Sequence, residues 1–173
     1  AELLKESGFQ VTSDDLPAPK PMPGDTLVAF VPNDDNWDEQ LLDPEKLVSK
    51  GSTLIKLVFD PRLDLATGRV RATQVERDGE SVQIFTDEFE GSASGAIWTE
   101  VGSKRSLASL TRSSGRTVVE VSGTMALNRF VDRGRNADVL VDLVRKTASG
   151  KRVVFVSATY RAIGKPGLWQ ALG

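Results

Sequence analysis

The 173-residue chain contains neither cysteine nor histidine. Their absence excludes disulfides, thiolate nucleophiles, imidazole bases and zinc-finger ligand sets together. An enzyme built from this chain would have carboxylates, Lys, Ser, Thr and the single tyrosine, Tyr160, to work with. No GxxxxGK[ST] loop, GxSxG elbow or GxGxxG turn is present, so phosphate-cradle and esterase chemistry find no support. Long apolar runs are missing too. The longest, "TLVAFV" and "RVVFV", have strand length and fall far short of the roughly 20 residues a bilayer span needs. The first residues, "AELLKESGFQ", lack the basic, apolar, small-residue layout of a secretory signal. These absences point away from catalysis, a small-molecule substrate and a membrane.

What is present is globular. Apolar residues make up 39% and charged residues 27%, a composition that fits one packed domain of this length. The charges are unevenly spread. Residues 1–100 hold 9 Lys and Arg against 20 Asp and Glu, a net of −11, while residues 101–173 hold 13 against 4, a net of +9. Such polarity gives complementary faces for assembly or a basic face for nucleic acid if the halves separate in space. It gives a mixed surface if they interleave.

Four prolines in "LPAPKPMPGD", residues 16–25, favour extended chain, so residues 1–25 read as a Pro-rich arm on a domain spanning 26–163, with 164–173 as a C-terminal tail. The domain reads mostly as strands: 26–31, 52–59, 69–76, 81–86, 116–122 and 152–162. Asp78-Gly79 sits between two of them as a hairpin turn. Residues 43–51 carry a helix start in Asp43 and Pro44 and a stop in Gly51. "NADVLVDLVRKTASG", 136–150, fits a helix face behind an Asn136 cap and also fits a β-branched strand; its β neighbours favour the strand. The expected class is all-β with one or two short helices, an antiparallel β-sandwich of about eight strands, jelly-roll-like.

Three groups of side chains invite a chemical reading. Asp60 and Asp64, around Pro61 in "LIKLVFDPRLDLATGRV", could form a carboxylate pair, but Arg62 between them and Gly68 beyond make turn chemistry the simpler reading. Asp34, Asn36, Asp38 and Glu45 fall at positions 1, 3, 5 and 12 of a calcium-binding loop, with Glu39 where such loops carry glycine. Ca²⁺ is the cation that spacing would suit; otherwise the segment is a solvated acidic loop with Trp37 tucked inward. Lys104, Arg105, Arg112, Arg116, Arg133 and Arg135 lie among Ser and Gly in loops and strand ends, as do Arg129, Arg145, Lys146, Lys151 and Arg152. That setting suits phosphate contacts, while the sparse aromatics nearby, Phe130 and Tyr160, argue against base stacking. Trp98 reads as core. Trp169, after Pro166-Gly167, needs a docking place on its own domain or on a neighbouring subunit.

A Pro-rich arm, about eight short strands and a basic surface without cysteine or histidine chemistry together resemble the jelly-roll coat proteins of small RNA viruses. "LVFDPRLDLATGRV" is similar to a strand and loop of those coat proteins and of the related plant-virus movement proteins, and "VLVDLV…SGKRVVFVSATYR" is similar to the closing strand pair of the latter. The resemblance implies a non-enzymatic coat subunit in the virion or host cytoplasm that assembles with copies of itself. It would contact RNA through Lys104, Arg105, Arg112, Arg116, Arg133 and Arg135, face a neighbour through the acidic loop, and need no cofactor beyond Ca²⁺ there. Coat proteins of this kind begin with a strongly basic arm, whereas the first 25 residues here hold Lys5 and Lys20 alone. The alternatives are a movement protein binding single-stranded RNA, a non-viral β-sandwich binding module, and a hydrolase using Asp60 and Asp64.

Overall fold

A computed structural model describes residues 1–13, 21–33, 44–59 and 70–156. The described residues are mostly β, with nine strands in one sheet. In chain order the elements are α1 (Glu2–Glu6), β1 (Gln10–Ser13), β2 (Thr26–Pro32), α2 (Pro44–Leu47), β3 (Thr53–Phe59), β4 (Arg71–Arg77), β5 (Glu80–Thr86), β6 (Ala96–Glu100), β7 (Ser106–Ser113) and β8 (Arg116–Ser122). A 3₁₀ turn (Gly123–Ala126), α3 (Asn128–Val131), α4 (Asn136–Thr147) and β9 (Arg152–Val156) follow. No helix among the described residues is long and apolar enough to cross a membrane.

The strand order is β1-β9-β2-β3-β8-β7-β6-β4-β5. Its two halves are paired by different rules. The strands β1, β9, β2, β3 and β8 run parallel, and β8, β7, β6, β4 and β5 run antiparallel. The strand-rich class and the strand number match the sequence reading, whereas the jelly-roll wiring gives way to parallel pairing on one half. Parallel neighbours need crossover connections, and α2 and α4 supply them on opposite faces. Leu47 and Val48 around α2 pack with Leu27, Ala29, Leu54, Val154 and Val156. Val139, Leu143 and Val144 of α4 pack on the other face with Val28, Ile55, Leu57, Val119, Val121 and Phe155.

Residues 136–150 thus depart from the strand expected of them: α4 occupies 136–147. Asn136, Val139, Leu143 and Val144 are its buried positions, a spacing of three and four that no strand could place on one face. The need to carry the chain from β8 to β9 in parallel outweighs the β-branched propensity. The first residues depart as well. Leu4 is core and β1 pairs with β9, so residues 1–13 belong to the domain and not to a draped arm. Residues 14–20 lie outside the described residues.

The antiparallel half alternates in burial. Thr73, Val75, Val82, Ile84 and Thr86 are buried while Gln74, Glu76, Ser81 and Gln83 are exposed. Asp78-Gly79 does form the hairpin, with positive φ at both positions, as a type I′ turn requires. Pairing order puts β5 at the sheet edge, four places from β8. Yet Asp87, just past β5, hydrogen-bonds Ser122 at the end of β8. The sheet therefore curls over its own inner face, so that Val75, Val82 and Ile84 share a core with Ile55 and Val121 in a sandwich-like arrangement.

Candidate functional site

An opening lies on the α4 face of the parallel half. Here α1 and α4 sit side by side over β2, β3 and β9. They leave between themselves and the sheet a cavity of about 510 Å³, within the range of roughly 300–1,000 Å³ usual for ligand pockets. Its wall is made by Leu3 and Leu4 of α1, Leu140 and Val141 of α4, and Phe30 and Phe155 of the sheet, with further aliphatic neighbours. Among the described residues Glu2 is the one titratable side chain on the lining, and it is hydrogen-bonded to Lys5 at 2.7 Å, a bond that lowers its pKa. The other lining side chains among the described residues are apolar, so the cavity suits apolar groups.

A second, charged groove of about 420 Å³ adjoins it, sharing Leu3, Ala137 and Val141. Glu6, Arg77, Arg135, Asp138, Asp142 and Arg145 line this groove, giving three cations and three anions. Arg77 donates to Asp142 at 2.8 Å, and Arg135 pairs with Asp138 at 2.5 Å. Lys146 bridges Asp142 at 3.0 Å and the hairpin residue Asp78. The hydrogen bond from Lys146 lowers the Asp78 pKa, and those to Asp78 and Asp142 raise that of Lys146. Arg145 and Glu6 have no ion-pair partner among the described residues, and the buried Nε of Arg77 has no hydrogen-bond acceptor.

A buried polar cluster sits at the carboxyl end of β8. The Asp87 carboxylate, 6% exposed, accepts hydrogen bonds from Ser122 Oγ at 2.9 Å, Thr124 Oγ1 at 2.7 Å and the Phe89 N–H at 3.2 Å. Both hydroxyls are buried. With its partners neutral and shielded from solvent, the cluster ties β5 to β8 and presents nothing to a substrate.

The residues singled out by sequence are dispersed. Lys104 and Arg105 precede β7 and Arg112 lies near its end, about 23 Å away along an extended strand. Arg112 and Arg116 flank the tight turn between β7 and β8 and are exposed, as are Lys104, Arg133 and Arg135. Arg105 is half-buried against Glu100, Nε to Oε2 3.1 Å. The Arg135 N–H donates to the Gln83 carbonyl at 3.0 Å, which sets Arg133 and Arg135 beside β5. These six cations therefore occupy three separate places. Glu45, in the first turn of α2, is hydrogen-bonded to Lys56, while Asp34, Asn36 and Asp38 lie outside the described residues, as do Asp60, Asp64, Trp37 and Trp169. No group of three or more acidic side chains among the described residues is placed to hold a metal ion. Trp98 is core, 3% exposed.

Sequence reading missed the cavity, the Asp87 cluster and the role of Asn136. The helical spacing of Leu140, Val141 and Val144 was the available signal for the cavity wall; Asp87 owes its burial to hydroxyl partners 35 and 37 residues away, beyond the reach of a local reading. Compared with protein-family models, curated proteins and solved structures, the chain matches none.

Proposed function

We propose that the chain is a non-catalytic binding module that takes a peptide segment with apolar side chains. The observation that carries this reading is the pairing of an apolar cavity with a groove bearing both signs of charge. An acyl chain with an anionic head would be matched by cations alone. Three cations and three anions, with one unmatched Arg77 donor, instead suit a polypeptide, whose backbone offers donors and acceptors along its length while its side chains fill the cavity. The absence of cysteine and histidine and the largely apolar lining support binding over turnover. The coat and movement-protein readings draw on a shared basic face, and the dispersal of Lys104, Arg105, Arg112, Arg116, Arg133 and Arg135 lends them less support.

Panning a random peptide library on the purified chain tests this. Enriched peptides should carry closely spaced apolar residues and lose binding to an Ala137→Phe chain, in which the ring enters the opening between cavity and groove. Enrichment that is indifferent to Ala137→Phe, or no enrichment at all, would overturn the reading.

A further inference from the structure

Resting on that reading, we infer that α1 is a hinged gate over the cavity, and that a peptide enters as α1 lifts about Ser7 and Gly8. Leu3 and, from α4, Ala137 and Val141 line both the cavity and the charged groove, so they form the seam between the two. A peptide that fills the cavity with a side chain while its backbone follows the groove has to cross that seam, and Leu3 stands in its way. What holds α1 down is slight. Every hydrogen bond that residues 1–8 make among the described residues stays within residues 1–9, and the first bond onward to the sheet runs from the Gln10 N–H to the Lys151 carbonyl at 2.8 Å. Within α1 only Leu4 is buried, while Leu3 is 42% exposed. Five residues are too few for a helix to stand by its own propensity. Gly8 follows with φ +87° and nothing within 4 Å of where a Cβ would be, which leaves the joint free of packing. Phe9, packed against the core, and β1 stay with the sheet. α1 can therefore leave its seat by giving up one leucine's burial and no hydrogen bond to its neighbours, which is the profile of a segment that opens locally. An open form of this kind occupies about 0.1–10% of the chains, and the apparent affinity for a peptide falls by that fraction.

The native chain has no cysteine, so a single introduced thiol reports on one place without background. Ile55→Cys puts it in the cavity, and Val154→Cys puts it on the opposite face of the sheet, among the residues packed around α2; both positions are buried. The readout is the ratio of their rates of reaction with dithionitrobenzoate, in the otherwise native chain and with Leu4→Ala. A gate makes Ile55→Cys react at least about tenfold faster than Val154→Cys, and loss of Leu4 raises that ratio at least about tenfold further, because α1 then opens more often while unfolding of the whole chain moves both rates alike. A ratio near one, or a ratio that Leu4→Ala leaves unchanged, would overturn the gate; if panning has enriched peptides all the same, the binding module stands without it. A ratio that responds while no peptide is enriched would overturn the module, and with it the part α1 plays in admitting a peptide.

Discussion

The side-chain amide of Asn136 pairs with Phe85 as a β-strand would. Its Oδ1 accepts from the Phe85 N–H at 2.8 Å and its Nδ2 donates to the Phe85 carbonyl at 2.8 Å. The same Nδ2 donates to the Phe130 carbonyl at 3.0 Å. The neighbouring Arg135 N–H takes the Gln83 carbonyl, so two residues at the start of α4 satisfy outward backbone groups on the β5 edge. An edge covered this way is closed to pairing with another chain.

Asn136→Ala would leave the Phe85 N–H and two carbonyls without their partner at a fully buried site. Unmet buried groups cost about 1–3 kcal/mol each, and some of that is recovered by relaxation. We expect a loss of about 3 kcal/mol in urea denaturation, with Asn136→Asp intermediate because it keeps the acceptor. A loss below about 1 kcal/mol would mean that the edge is held by other contacts.

Asp87 ties the curl of the sheet together through Ser122 and Thr124. Asp87→Ala strands both hydroxyls, whereas the double change Ser122→Ala with Thr124→Val leaves the carboxylate with the Phe89 N–H alone. Each should cost about 2–4 kcal/mol, and the triple change should cost much less than their sum. Additive losses, measured by the same denaturation, would show that the three groups do not act as one unit.

Much of this fold was legible, and its misreadings have a common cause. The Asp78-Gly79 turn and the start of α2 at Pro44 are decided by local backbone chemistry, so they could be read locally. The alternation of β4 and β5 announced a half-exposed antiparallel pair. "TLVAFV", "TLIKLVF" and "RVVFV" carried the other half of the answer. Near-continuous apolar runs mark strands covered on both faces, and that means parallel strands with crossovers. The β segments on either side drew 136–150 toward strand, although parallel strands on one half of the sheet need a crossover. The cavity was beyond local reading, because its walls come from α1, α4 and three strands far apart in the chain.

Lys56 lies on the α2 face of β3, opposite Glu120 on β8, and is bonded to Glu45 and, at 3.3 Å, to Glu120. Burial pulls its pKa down, but the hydrogen bonds and charges of the two carboxylates outweigh it, and the net shift is upward from 10.5. A folded pKa above the unfolded one means that the stabilisation is complete below the unfolded value and fades as pH climbs through the folded one. Lys56→Met should therefore cost about 1 kcal/mol at neutral pH, and the gap to the parent chain should narrow only above the ordinary lysine range. A gap that is unchanged there, followed by urea midpoints, would show that the ammonium charge is not what Lys56 contributes.

Gly123 opens the 3₁₀ turn that holds Thr124 against Asp87, and it passes close to β3. A Cβ at this position would stand 2.9 Å from the Leu57 carbonyl oxygen and 3.2 Å from that of Val58. Both are backbone atoms in the middle of the sheet and cannot swing aside. Its φ is not in the left-handed region, so the expected cost of Gly123→Ala, about 2 kcal/mol, is steric. Gly102 gives the contrasting case: φ is +79° and a Cβ would meet nothing within 4 Å, so Gly102→Ala should cost about 1 kcal/mol through backbone strain alone. If contact decides, the Gly123 variant is the less stable of the two, and adding Thr124→Val to it costs less than in the parent chain because the turn has already shifted from Asp87. The reverse order in thermal or urea midpoints would mean that β3 yields to the turn, and that the Asp87 anchor tolerates movement at the carboxyl end of β8.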